Sequence, residues 1–336
     1  MMKSTLHPVP FILKLIVGIA VCILMFIVAM IFGAADISIK DIWLALVTDT
    51  KGDDISIIRD LRLPREAAAM VVGAALAVAG AVMQGMTRNP LADPSLLGLT
   101  SGANAALAVA MVWIPSLQYF GLMIACFIGA AVGAAVVIGI SAVKKGGFSP
   151  LRIVLAGAAV SALLQAISEG IGLVYKISKD VSMWTAGGLI GTSWNQLQVI
   201  TPFIACGLLI ALLLSRQLTI LSLNEEVAVG LGQKTMVVKS LLFIATIVLA
   251  GAAVALAGNM AFIGLMIPHI VRAFAGTDYR QIIPLSAFFG ASFMLLADTI
   301  GRTIQAPYET PVAAIVSILG LPFFLFIVRK GGKSYE

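Results

Sequence analysis

Apolar runs recur along the whole chain, separated by short polar stretches. A helix that crosses a bilayer needs about 20 mostly apolar residues. Ten segments fit that pattern: 11–33, 67–86, 95–113, 119–143, 152–174, 196–215, 236–257, 259–275, 281–301 and 310–328. The eighth is short and holds Pro268 and His269, so it is the least regular. The first follows Lys3, as the apolar core of a signal peptide would. From Phe11 to Phe32, however, it would make a helix of about 33 Å. A signal core usually runs only about 7–15 residues. The segment therefore reads as a span that stays in the protein. Glycines recur at four-residue spacing, Gly98 with Gly102 and Gly129 with Gly133. Such pairs let helices approach closely in lipid, although a chain with 32 glycines also yields them by chance. The pattern predicts an all-α polytopic membrane protein of about ten transmembrane helices, one membrane domain over 1-336.

Ten spans put both termini on one side. Lys and Arg favour the cytoplasmic side of a membrane. With the N-terminus inside, 14 of the 22 basic residues and 5 of the 16 acidic ones lie inside; 8 basic and 11 acidic lie outside. The asymmetry predicts an N-in, C-in chain. Two connections are long. The outer one, 34–66, is polar, and Asp36 is placed to cap a short helix through Ile42, Trp43, Leu44 and Leu46. The inner one, 216–235, reads as a short amphipathic pair of turns.

Composition agrees with this reading. Of 336 residues 60% are hydrophobic and 11% charged, against about 45–50% and 25% in soluble domains. A soluble core could not hide that much apolar surface. Soluble enzymes, disordered chains and ordinary nucleic-acid binders are excluded, so no nucleic acid is expected as a partner. Cys22, Cys126 and Cys206 lie within apolar runs and read as small buried hydrophobes. Three widely spaced cysteines and two histidines, His7 and His269, offer no zinc pattern, so no metal site is expected. Gly232-Gln233-Lys234-Thr235 lacks the glycines of a phosphate loop, and no nucleophile motif stands out. The chain is not expected to be an enzyme.

Charge within a membrane is expensive and often functional. Glu169, Asp298 and Glu309 are the acidic candidates, and Asp298 stands four residues before Arg302, the spacing of a helical pair. These are few for an ion-coupled carrier. ATP hydrolysis by a partner is the better source of energy, and a secondary carrier is the alternative. Arginine collects on the outer side in Arg59-Asp60-Leu61-Arg62-Leu63-Pro64-Arg65, where Pro64 would fix the turn into the second span. Outer arginines suit the carboxylates of a soluble partner or the phosphates of membrane lipid. On the inner side, Glu225 and Glu226 suit a helix start, Val227, Ala228 and Leu231 would share one face, and Gly232 would stop the helix. A small apolar knob there could enter a cleft in another protein.

With these residues in view, the chain resembles the FecCD family of permeases, the type II ABC importers of iron–siderophore, haem and cobalamin. The matching words are Arg62-Leu63-Pro64-Arg65; Gly73-Ala74-Ala75-Leu76-Ala77 with Gly80-Ala81-Val82-Met83-Gln84; Asn89-Pro90-Leu91-Ala92-Asp93-Pro94-Ser95-Leu96-Leu97-Gly98; Trp184 with Gly187-Gly188 and Trp194; and Phe262-Ile263-Gly264-Leu265-Met266-Ile267-Pro268-His269-Ile270-Val271-Arg272. They run from the first loop to the last spans.

The resemblance implies a second permease subunit, identical or homologous, two cytoplasmic ATPase subunits and an extracytoplasmic binding protein. It implies that ATP and Mg²⁺ bind at the partner ATPase and that this chain binds no cofactor. Arg62, Arg65 and Arg302 match positions that dock acidic residues of the binding protein, with Arg59 beside them. Asn224, Glu225, Glu226, Val227, Ala228, Gly230, Leu231 and Gly232 match the loop that couples to the ATPase. Ser149, Pro150 and Leu151 fall at the cytoplasmic gate, where Pro150 and Leu151 replace the small polar residues of the cobalamin branch. His269 reads as structural. The expected cargo is a ferric siderophore, with cobalamin or haem as the alternative, carried along a route lined by small and apolar groups in a bacterial cytoplasmic membrane.

Overall fold

The computed structural model describes residues 10–33, 38–48, 50, 52–142, 150–179, 188–306 and 308–332. Its helices, in chain order, are α1 (Phe11–Ile31), α2 (Ile39–Val47), α3 (Asp53–Ile57), α4 (Leu63–Thr87), α5 (Leu99–Trp113), α6 (Tyr119–Ala142), α7 (Pro150–Val174), α8 (Trp194–Leu213), α9 (Ser215–Leu223), α10 (Glu225–Gly230), α11 (Thr235–Ala257), α12 (Ile263–Ala275), α13 (Tyr279–Thr303) and α14 (Val312–Gly332). Each predicted span overlaps one of α1, α4–α8 and α11–α14, whose ends differ from the predicted bounds by a few residues. Among the described residues seven helices are long and apolar enough to cross a membrane unaided, and α5, α12 and the apolar part of α14 are shorter.

The ends of these helices meet in two groups, as alternating spans require. Lys14 of α1 reaches Gln281 of α13, and Thr219 of α9 reaches Asp278 before α13. At the opposite ends, Arg62 before α4 and Arg302 of α13 both reach the last carbonyls of α1. The first group is the side that the basic residues assign to the cytoplasm.

The connections differ in detail from expectation. Asp36 lies outside the described residues, and Ser38 caps α2 by accepting the Asp41 amide. The turn expected at Pro64 does not form. One π-helical turn, Ile58–Arg62, carries α3 directly into α4, with the Leu63 amide donating to the Ile58 carbonyl. Proline is tolerated in the first turn of a helix because its missing N–H is not needed there, and the wide turn takes up the mismatch. The inner connection is two helices, α9 and α10. Cys22 and Cys126 are buried as expected, but Cys206 faces outward from α8. A small apolar thiol is as comfortable against lipid as in the core.

The centre of the fold is α4. Its sequence is alanine, valine and glycine on every side, and Ala68, Val72, Ala75, Ala79 and Val82 are fully buried. Helices α8, α11, α12 and α13 pack around it. Gly73 meets the backbone of Gly290 on α13, and Gly80 meets that of Gly264 on α12, so closely that a methyl group at either would overlap a carbonyl. The same device joins α5 to α6. Gly98 and Gly102 face Gly133 and Gly129, so the two predicted glycine pairs are halves of one contact.

Residues 258–262 break the apolar run ahead of α12. Gly258 and Phe262 both have left-handed φ, 73° and 66°, a conformation a phenylalanine rarely adopts. Pro268 cannot donate to the Gly264 carbonyl four residues earlier. The buried Gln84 side chain of α4 fills that gap, donating to Gly264 O at 3.0 Å and to Leu265 O at 3.3 Å. Asp93 accepts the Ser95 amide at 2.8 Å and lies against Gly264. Three of the sequence words thus meet at the start of α12.

Gly102→Leu must separate two helix backbones, and overpacking of this kind costs about 1–3 kcal/mol or more. Its thermal midpoint in detergent should fall by several degrees. Gly139→Ala, at a helical position with open space around it, should leave the midpoint unchanged or slightly raised. Equal midpoints for both variants would contradict the contact.

Candidate functional site

At the outer end, six charged side chains form a neutral cluster. Arg65 lays its Nε and Nη2 on the Asp298 carboxylate at 2.9–3.1 Å, while its Nη1 and Nη2 reach Glu309 at 2.8 and 2.9 Å. Arg302 contacts Glu66 at 2.5 Å and Asp298 at 3.0 Å, the latter a charge contact along the helix rather than an aligned hydrogen bond. Arg302 also donates to the Ala29 carbonyl at 3.2 Å, and Arg62 to the Met30 carbonyl at 2.7 Å. Two arginines enter from one turn of α4 and the π turn before it, because residues 62, 65 and 66 share a face at helical spacing. The Asp298–Arg302 pair predicted from spacing is present and enters from α13.

The arginines expected at the binding-protein face are engaged within this chain. Arg62 and Arg302 are buried, and Arg65 nearly so. Arg65 and Arg302 pair with this chain's own carboxylates, and Arg62 donates to the Met30 carbonyl. Arg59 behaves similarly. It donates to the carbonyls of Ala45, Thr48 and Thr50, and its own carbonyl accepts the Trp194 indole N–H at 2.9 Å. It ties the outer connection to the start of α8. The physical reason is cost: a buried guanidinium without a carboxylate would lose several kcal/mol, and Glu66 and Asp298 supply that partner.

At the inner end, α10 is a short helix held at both ends. The Asn224 side chain accepts the Glu226 amide at 2.9 Å, and Glu225 pairs with Lys239 of α11 at 2.5 Å. Gly232 takes the left-handed conformation, φ 77°, and donates to Val229 O, while Gln233 donates to Ala228 O. Those two bonds close a Schellman cap, as expected of Gly232. One assignment needs correction. Ala228 does not share the face of Val227 and Leu231; it is buried, while Val227, Val229 and Leu231 are exposed. Residues four apart share a face and their neighbour points about 100° away, so the smallest side chain goes inward. Gly230 has open space around its α-carbon. Leu223, ahead of the cap, is also exposed. The result is an apolar knob on a fixed stalk. Arg280, whose Nε and Nη2 donate to both carboxylate oxygens of nearby Asp278, holds that carboxyl below the usual carboxylate range.

Of the expected gate, Ser149 lies outside the described residues, and Pro150 and Leu151 open α7. Trp184 and Gly187 also lie outside them. His269 stacks edge-on against Phe323, with ring centres 5.8 Å apart. Glu169 stands apart from the outer cluster and accepts a bond from Gln165, one turn earlier on α7, at 3.0 Å. Sequence reasoning missed Glu66 as a site residue, although Arg65-Glu66 at a helix start held the clue. It also missed Gln84, whose signal was a lone amide inside an alanine–glycine helix.

A model of the FecCD transport family matches residues 21–330. The iron(3+)-hydroxamate import system permease protein FhuB of Bacillus subtilis is 44% identical over 321 residues, covering 95% of this chain and 83% of that protein. The iron-uptake system permease protein FeuB of the same organism is 39% identical, covering 92% and 93%. A solved structure described as an inward-facing metal-chelate type ABC transporter superposes with a TM-score of 0.80 at 27% identity, over 94% of this chain and 98% of that one.

Arg302→Met leaves Glu66 buried without its cation and should cost about 3–5 kcal/mol. Replacing Glu66 by Met as well removes the stranded charge. In a thermal-unfolding cycle the double variant should therefore be more stable than Arg302→Met alone; strict additivity of the two losses would show that the pair is not coupled.

Proposed function

The chain belongs to the FecCD transport family, and from that premise we propose that it is the permease of an ATP-driven importer that carries ferric siderophores across a bacterial cytoplasmic membrane. It is a multi-pass transport subunit rather than a catalytic one. The observation that carries the mechanistic reading is α10. A six-residue helix, capped at both ends and pinned to α11, presents Val227, Val229 and Leu231 outward on the cytoplasmic side. Apolar side chains held out rigidly at a membrane's water face suit insertion into a partner's cleft.

In this reading the partner is the ATPase dimer, which binds ATP and Mg²⁺. Closure of that dimer pushes α10, and α9 passes the push to α13 through the Thr219–Asp278 bond and the Tyr279 amide, which donates to Thr219 Oγ1 at 2.9 Å. A second permease completes the passage, and Pro150 and Leu151 open the helix that begins at its cytoplasmic gate. The extracytoplasmic binding protein docks on the outer platform that Arg59, Arg62, Arg65 and Arg302 brace from within. Ferric siderophore is favoured as cargo because relatives named for iron uptake cover nearly all of this chain.

The test is uptake of labelled ferric chelates by cells that lack the protein and by cells that carry Val227→Asp with Leu231→Asp. Both residues are exposed, so the variant should remain in the membrane at normal level. Its uptake should nevertheless fall at least about tenfold, as a lost coupling step requires. Normal uptake by the variant would remove α10 from the coupling path. A deletion that spares iron and abolishes haem or cobalamin uptake would change the cargo.

A further inference from the structure

The outer half of α7 carries polar residues on a face that the described helices cover only in part. Ser161, Gln165 and Glu169 stand one turn apart, and Gln165 and Glu169 are exposed. A carboxylate facing hydrocarbon is unfavourable by a few kcal/mol, so this face looks onto water or protein. Beside it a cleft is lined by Ser101, Asn104, Gln165, Ser168, Glu169 and Asn259, with a cavity of about 20 Å³. The lining comes from three places. Asn104 and Ser101 project from α5, and Asn259 comes from the non-helical break between α11 and α12.

Two features mark the cleft as built for something polar. Asn104 and Ser168 are more than nine-tenths buried, yet Asn104 Oδ1 and Ser168 Oγ have no hydrogen-bond partner among the described residues. Buried polar atoms in native proteins are nearly always paired, and a cavity of about 20 Å³ has room for a water to pair these two. Irregular backbone at membrane depth, as at 258–262, is tolerated where it is buried or lines a water-filled cavity. The break also holds Phe262 in a left-handed conformation, strain of a kind that gathers at functional positions.

We propose that this cleft lies on the passage and that Glu169 is a charge filter in it, passing neutral and cationic ferric chelates and slowing anionic ones. The inference rests on the permease reading above. The cavity of about 20 Å³ has room for a water, which Asn104 and Ser168 would hold beside Glu169, while Gln165 steadies the carboxylate by donating to Glu169 Oε1. A trihydroxamate neutralises ferric iron and leaves no net charge. Catecholate and citrate complexes remain anionic and meet repulsion from Glu169. In a site with few other charges, one carboxylate within several ångströms of an anion alters its passage on the order of tenfold. Among the described residues Glu169 is the acid in this cleft and no basic side chain lines it.

The experiment uses the complete transporter in proteoliposomes, with ATP at the ATPase side and saturating binding protein. The probes share one ferric trihydroxamate scaffold bearing a free amine, an acetylated amine or a succinylated amine, and so are cationic, neutral and anionic. Each variant is compared with the wild type using the same binding protein, which cancels that protein's own preference. In Glu169→Gln the anionic-to-cationic uptake ratio should rise about tenfold, further in Glu169→Lys, and return in Glu169→Asp. Asn104→Asp adds a carboxylate to the same cleft and should lower the ratio, which provides a second arm should the Glu169 variants fail to assemble. Ratios that stay within twofold of wild type in the assembled variants would overturn the filter while leaving the permease reading intact. A wild-type transporter that hydrolyses ATP but accumulates none of the three probes would overturn the permease reading itself, and the filter with it.

Discussion

Close approach between helix backbones is the constraint on which the rest of this structure depends. Lipid is as apolar as leucine, so burying side chains gives membrane helices little reason to associate. Contact must come from van der Waals packing, and packing is best where side chains are smallest. The pairs Gly73–Gly290, Gly80–Gly264 and Gly102–Gly129 bring carbonyls to within contact of the opposite α-carbon. They fix α4 against α12 and α13, and α5 against α6. Everything polar in the interior is then placed by that framework. Gln84 can satisfy Gly264 because the contact at Gly80 brings the two helices together one turn away, and Asp93 can lie against Gly264 for the same reason.

The ends of the helices follow a different rule. There water is close, charge is affordable, and the bonds between elements are ionic or capping bonds. The outer cluster joins α1, α4, α13 and the approach to α14 through alternating charges that sum to zero, and Thr310 adds a backbone bond to Gly301 at 2.9 Å. Such a cluster adds little net stability over a well-packed apolar core, but it strongly penalises any arrangement that separates its members. It therefore specifies how the outer ends of the helices are registered. The inner end is more loosely made. One ion pair, one amide cap and one glycine cap hold α10, and its apolar side chains remain outside.

Much of this was legible in the sequence. The ten spans, both long connections and the glycine pairs follow from hydropathy and spacing, because those are local properties of a helix. The Asp298–Arg302 pair was legible for the same reason, being four residues apart. What escaped was set by long-range pairing. Nothing local distinguishes an arginine that greets a partner from one that greets Asp298 or Glu309, more than 230 residues away. The count of acids on the outer side already exceeded that of bases, which in principle hinted that the arginines could be neutralised at home. The cap at Ser38, two residues past the expected Asp36, and the inward turn of Ala228 are errors of one or two residues, the scale at which sequence signals blur. The cleft proposed to lie on the passage stayed hidden because its polar residues, Asn104, Ser168, Glu169 and Asn259, come from three separate segments.

These two kinds of contact meet in α13. At its inner end Asp278 and Tyr279 bond Thr219 of α9, and at its outer end Asp298 and Arg302 enter the charge cluster. Its middle is locked to α4 at Gly290. A helix of 25 residues is about 37 Å long, enough to connect the two water faces as one rigid element. The short helix α9 packs buried Leu218 against Gly85 of α4, while α10 is held mainly at its ends. A displacement of the inner connection is thus delivered to α13 through directional hydrogen bonds and resisted at the far end by ion pairs that are costly to separate. An intermediate position would keep neither set of bonds intact, so the packing favours discrete arrangements over a continuous slide. That is the mechanical property a permease driven from one face needs in order to open alternately at the two.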